Sequence, residues 1–135
     1  MGTTWLIAVA LLAHAAIHAS FIAPRPPVTA GGPTWPFELG RSWLLAPIGL
    51  DARATRIVGT TLIAVTIGGF ALAALTVVGL VPAGIWPAAV TIGAIASITL
   101  LGLYFSPWLV VGVAIDAVLL WAVLINHWAP EGVTP

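Results

Sequence analysis

The chain is mostly apolar, and its polar residues fall at a few places rather than at regular intervals. Apolar runs cover residues 4–23, 57–81, 85–105 and 107–127. Each is close to the ~20 residues that a helix needs to cross a hydrocarbon layer about 30 Å thick. None alternates in the manner of a barrel strand. With no water to satisfy backbone groups inside a bilayer, runs of this length predict helices. The expected fold is an all-α integral membrane protein. It is an up-down-up-down bundle of four transmembrane helices with a long first loop, and residues 1–135 form one domain. Pro82, Ala83 and Gly84 predict the turn between the second and third spans. Ser106 and Pro107 predict an N-cap followed by proline at the first helical position.

Composition supports that reading. Hydrophobic residues make up 61% of the 135 positions and charged residues 6%, against about 25% charged in an ordinary soluble domain. A chain this short leaves much of its surface exposed, so this much apolar surface is expected to face lipid. There is no lysine and the formal net charge is zero. Nucleic acid, which needs a basic face, is therefore not an expected partner. There is no cysteine, which excludes disulfides, thiolate nucleophiles and Cys-ligated metals. Ala13-His14-Ala15 resembles a signal-peptidase site, but no basic segment precedes the first run and two histidines interrupt it. That run is read as a retained span.

All four arginines, Arg25, Arg41, Arg53 and Arg56, lie between the first and second runs. The positive-inside rule puts loop 24–55 in the cytoplasm and both termini outside, in a bacterial inner (plasma) membrane. Trp5, Trp86 and Trp128 are expected at the outer interface, with Tyr104 and Trp108 at the inner one and Trp35 and Trp43 nearby. The loop itself is unusual. Pro24-Arg25-Pro26-Pro27 should be extended, Gly31-Gly32-Pro33 breaks the chain, and residues 35–45 are rich in aromatics and leucine. Such a segment is expected to lie in the membrane interface or to fold back as a lid.

The candidate site is the set of polar side chains inside the apolar runs. His14 and His18 are four residues apart and share a helix face. Asp116 lies mid-way along the fourth run. At 1.5 Å per residue, His14 is ~12 Å from Ile22 and Asp116 is ~15 Å from Ser106. Antiparallel first and fourth spans would then bring the two to nearly the same depth, with His18 ~6 Å nearer the cytoplasm. An unpaired carboxylate in a bilayer costs about 2.5–3.5 kcal/mol on insertion scales, so Asp116 is expected to face the bundle and meet a donor. His14 is the nearest by depth. Ser97 and Tyr104, on the third run, are placed to join the same polar face.

The pair has three readings. It ties two helices together by a hydrogen bond, or it binds a polar ligand or passes protons, or the two histidines ligate metal or haem. The last is the weakest. His-x-x-x-His lacks the glutamate of a zincin motif. His127, the remaining histidine, lies near the far end of its run, a poor partner for a bis-histidine haem. No metal and no cofactor is expected. A serine hydrolase would need a histidine beside Ser97 or Ser106, and the local sequence around neither suggests one.

Small residues recur at four-residue spacing: Gly69 with Ala73, Gly93 with Ser97, Gly112 with Asp116, and Gly59 besides. Such spacing lets helices approach closely, within one bundle or between copies in a homo-oligomer. His14-Ala15-Ala16-Ile17-His18, the proline-rich loop, Gly40-Arg41-Ser42-Trp43-Leu44, and Pro107-Trp108 followed by Gly112 and Asp116 resemble small uncharacterised four-helix bacterial membrane proteins, DoxX-like in general architecture. The resemblance implies the four-helix fold and no particular activity. Two function classes follow. One is an accessory or ligand-binding membrane subunit without catalysis, alone, as a homo-oligomer or beside a partner membrane subunit. The other is a proton-linked small-solute transporter, or an intramembrane acid–base site, using His14, His18 and Asp116.

Overall fold

The computed structural model describes residues 2–23, 37–131 and 133. They form four helices, α1 (Gly2–Ser20), α2 (Ala52–Val77), α3 (Trp86–Leu103) and α4 (Val110–Leu120). A 3-10 turn, Ala83–Ile85, leads into α3, and another, Pro107–Leu109, leads into α4. A π turn, Trp121–Ile125, continues α4. With those extensions all four helices are long and apolar enough to cross a membrane. There is no strand among the described residues.

The helix ends follow local chemistry. α2 begins at Ala52, ahead of the apolar run that opens at Ile57, because Asp51 caps it. The Asp51 carboxylate accepts from Ala54 N–H at 2.7 Å, satisfying a donor that the first turn leaves free. α2 ends earlier than its apolar run suggests. Gly79 takes a left-handed conformation (φ 78°), its N–H bonds Thr76 C=O, and Leu80 N–H bonds Leu75 C=O. This is a Schellman cap, which a glycine at that position favours. The turn therefore lies at Gly79, and Pro82-Ala83-Gly84 belongs to the lead-in to α3. Ser106 does precede α4, with proline at the first position, but its hydroxyl makes no capping bond.

The helices pack in chain order, α1 on α2, α2 on α3 and α3 on α4. At the α2–α3 contact the backbones nearly touch. A methyl group added at Gly69 would lie 2.6 Å from Gly93 Cα, and one at Gly59 would meet the Leu39 side chain and the Tyr104 hydroxyl. The small-residue spacing of α2 and α3 is thus used inside the bundle. α1 and α4 close no comparable interface.

Both ends of the bundle are covered. At one end, residues 37–50 lie across it. Phe37 is buried and stacks on Phe21 (4.2 Å) and Tyr104 (5.1 Å). The Ser42 hydroxyl donates to Leu103 C=O (2.5 Å) and the Trp43 indole to Gly102 C=O (2.8 Å). These two carbonyls belong to the last turn of α3, which has no helical donors of its own. The described part of the loop is therefore a cap, while Trp43, Leu44 and Ile48 point outward. Trp35 lies outside the described residues. At the other end the chain turns at His127 (φ 49°). Trp128, Pro130 and Val133 fold back, and the buried Trp86 donates its indole N–H to Trp128 C=O at 3.2 Å. Trp86 and Tyr104, at the two ends of α3, are buried within the protein, and Tyr104 donates to Thr55 C=O.

The apolar interior has two parts. One surrounds Phe70, Trp86 and Val90. The other surrounds Phe37, Ile63 and Leu100. The seam between them is polar. α1 contributes His14 and His18, α2 Thr66, α3 Ser97 and α4 Asp116, and all five are buried.

Candidate functional site

Four of these side chains form one hydrogen-bonded cluster. His14 Nε2 lies 2.9 Å from Asp116 Oδ1. The Ser97 hydroxyl contacts Asp116 Oδ2 and lies 2.8 Å from His18 Nε2. His18 Nδ1 donates to His14 C=O at 3.0 Å, which fixes its ring against its own helix. Asp116 and Ser97 are wholly buried, and His18 is 1% exposed. His14 alone keeps some outward surface, 7%.

Each helix brings its residue to this point for a local reason. The four-residue spacing of His14 and His18 stacks them edge to face, centroids 4.9 Å apart. Phe70 of α2 meets the His14 ring edge to face at 4.9 Å, and Phe21 does the same for His18 at 5.5 Å. Ser97 lies one turn beyond Gly93, where α3 approaches α2 most closely. Asp116 lies one turn beyond Gly112, which is packed against Leu101. Burial of an ionisable group demands a full set of partners, and both carboxyl oxygens of Asp116 have one.

Of the sequence-selected residues, His14, His18, Asp116 and Ser97 come together. Tyr104 does not; it is engaged with Thr55 at the loop end. His127 is exposed beyond α4. Among the described residues no group of three or more His, Cys, Asp or Glu side chains comes together as a metal site. The local sequence around Ser97 suggests no histidine beside it, but helix packing brings His18 of α1 to it. The arrangement still differs from a hydrolase triad. The carboxylate touches the serine rather than the far nitrogen of the base, and Ser97 is closed off from any substrate.

Thr66 escaped the sequence reading. It is fully buried at the polar seam, one turn from Phe70, and its hydroxyl has no partner among the described residues. Its signal was diluted by Thr55, Thr60, Thr61 and Thr76 in the same helix. Nothing in composition distinguishes it from those.

Where the α1 and α4 backbones stand apart, two apolar cavities remain, one on each side of the His14–Asp116 bridge. The first, about 180 Å³, is bounded by Ile17, His18, Phe21, Trp108 and Gly112. The second, about 210 Å³, is bounded by Ile7, Leu11, Trp86, Leu119 and Trp128. His14 and Ile115 line both. No family model, curated protein or solved structure matches the chain.

Proposed function

We propose that this chain is a small multi-pass membrane subunit that binds a lipid-soluble molecule between α1 and α4 without catalysing a reaction on it. The observation that carries the reading is the pair of apolar cavities that share the polar side chain of His14, between two helices joined at the His14–Asp116 bridge rather than by close backbone packing. Small-molecule sites are commonly apolar clefts with few polar contacts. In a membrane such a cleft faces its ligand's own solvent. Four apolar helices support membrane insertion. Arg41, Arg53 and Arg56 lie on or beside the cap formed by residues 37–50, which supports a cytoplasmic loop, external termini and a plasma-membrane location. The DoxX-like resemblance belongs to the same proposal.

Trp86 supplies the test, since it is 1% exposed yet lines the second cavity, whereas Trp5 is 62% exposed. In nanodiscs, a brominated alkylphenol should quench Trp86 saturably and Trp5 in simple proportion to its concentration in the bilayer. Single-tryptophan variants separate the two signals. Proportional quenching at both positions would overturn the reading.

A second reading, proton movement, is supported by the unbroken chain from His14 through Asp116 and Ser97 to His18. Liposomes carrying the protein would then dissipate a pH gradient, and Asp116→Asn would abolish this while leaving a folded bundle.

A further inference from the structure

Counting hydrogens in the cluster restricts what it presents to the cleft. A carbonyl oxygen only accepts, so His18 Nδ1, bonded to His14 C=O, carries a proton. Ser97 has one hydroxyl proton and two polar neighbours, Asp116 Oδ2 and His18 Nε2. If that proton goes to Asp116, the contact with His18 is a hydrogen bond only when Nε2 is also protonated, making the ring an imidazolium. If it goes to His18, the contact with Asp116 is a hydrogen bond only when Oδ2 carries a proton, making the side chain a neutral acid.

Both arrangements hold the same protons: one more than a carboxylate and two neutral imidazoles. They interconvert when Oδ2 gives its proton to Ser97 Oγ while Ser97 gives its own to Nε2, and the net charge is zero in each. Removing the extra proton would set two lone pairs against each other at hydrogen-bond distance in a buried site, which costs as much as an unmade bond. A cluster of zero net charge is also what a low-dielectric interior favours. No other ionisable side chain of α1–α4 reaches it. Arg53 and Arg56 lie in the first turns of α2, and Tyr104, at the end of α3, is held by Thr55.

In either arrangement Asp116 Oδ1 is an acceptor, so the proton on His14 lies on Nε2. His14 Nδ1 has no hydrogen-bond partner among the described residues, and its ring lines both cavities. We propose that the cluster keeps one resident proton and thereby holds His14 as a hydrogen-bond acceptor toward the cleft. The cleft then selects lipid-soluble molecules that carry an O–H donor, such as alkylphenols, over otherwise equal molecules that only accept. This selectivity rests on the ligand-binding reading above.

The test compares an alkylphenol with its methyl ether, each measured for saturable binding to protein-bearing nanodiscs against empty ones. One hydrogen bond in an apolar site predicts about a tenfold preference for the phenol, lost in His14→Phe. Equal binding of both would overturn the selectivity and leave the ligand site standing. Saturable binding of neither would overturn the ligand site itself. The proton count has its own readout, which needs no ligand and no variant. In ¹⁵N-histidine-labelled protein, His14 should show a protonated Nε2 and a bare Nδ1. His18 Nδ1 should be protonated, and either His18 Nε2 is protonated or Asp116 shows the infrared carbonyl band of a neutral acid. An ionised Asp116 beside a neutral His18, or a proton on His14 Nδ1, would refute it.

Discussion

Replacing Asp116 by asparagine and by leucine probes the cluster most directly. In Asp116→Asn the new amide oxygen is placed to accept from His14 Nε2–H, as Oδ1 does now at 2.9 Å. The new NH₂ group donates to Ser97 Oγ, and the Ser97 hydroxyl turns to His18 Nε2, 2.8 Å away. All three contacts survive, in the pattern of the neutral-acid arrangement. Asp116→Asn should therefore change stability by less than about 1 kcal/mol. Leucine keeps none of the contacts to position 116. Ser97 remains satisfied by turning to His18, so a single donor, His14 Nε2–H, is orphaned. An orphaned buried donor costs about 1–3 kcal/mol, while measured interhelical hydrogen bonds in a lipid bundle average ~0.6 kcal/mol. A loss of about 2 kcal/mol is expected, more than tenfold in the unfolding equilibrium. Unfolding in mixed micelles with rising dodecyl sulfate, followed by far-UV circular dichroism, measures it. Asparagine as damaging as leucine would show that the cluster needs a full negative charge at position 116, which excludes the neutral-acid arrangement and leaves only the carboxylate beside a His18 imidazolium. Leucine as stable as the native residue would show that the bridge contributes nothing to holding α4 on the bundle.

Other substitutions test other parts. Gly69→Ala should destabilise the fold by about 1–3 kcal/mol, since its methyl would lie 2.6 Å from Gly93 Cα, whereas Gly68→Ala, with open space around it inside the same helix, should cost nothing and add up to about 1 kcal/mol in the same micelle titration. Thr66→Val should raise stability by about 1 kcal/mol by removing a buried hydroxyl with no partner, and a clear loss would mean that an internal water serves that hydroxyl. A reporter fused after Pro135 should be active only outside the cytoplasm, and cytoplasmic activity would reverse the orientation. Trp43, whose indole N–H bonds Gly102 C=O while its ring is exposed, should be shielded from aqueous iodide in nanodiscs; quenching as strong as that of free tryptophan would remove the cap from the membrane interface.

The four apolar runs determined the four helices without help from tertiary structure, because apolar residues at this density leave the backbone few other ways to satisfy itself. The approach of His14 to Asp116 was legible too. It followed from equal spacing along antiparallel helices and the cost of isolating a carboxylate. Helix ends were less so. The stop at Gly79 depends on a left-handed turn that an apolar run through Val81 conceals. Tertiary structure alone decided that Ser97 joins His18 and Asp116 while Tyr104 turns away to Thr55. Both residues stand on the same helix, and which neighbour each meets depends on how closely α3 settles on α2 at Gly59, Gly69 and Gly93. The cleft was likewise invisible in the sequence. A gap between α1 and α4 is a property of packing, set by which helix surfaces find partners, and their apolar residues read alike whether they meet a neighbour or face away from one.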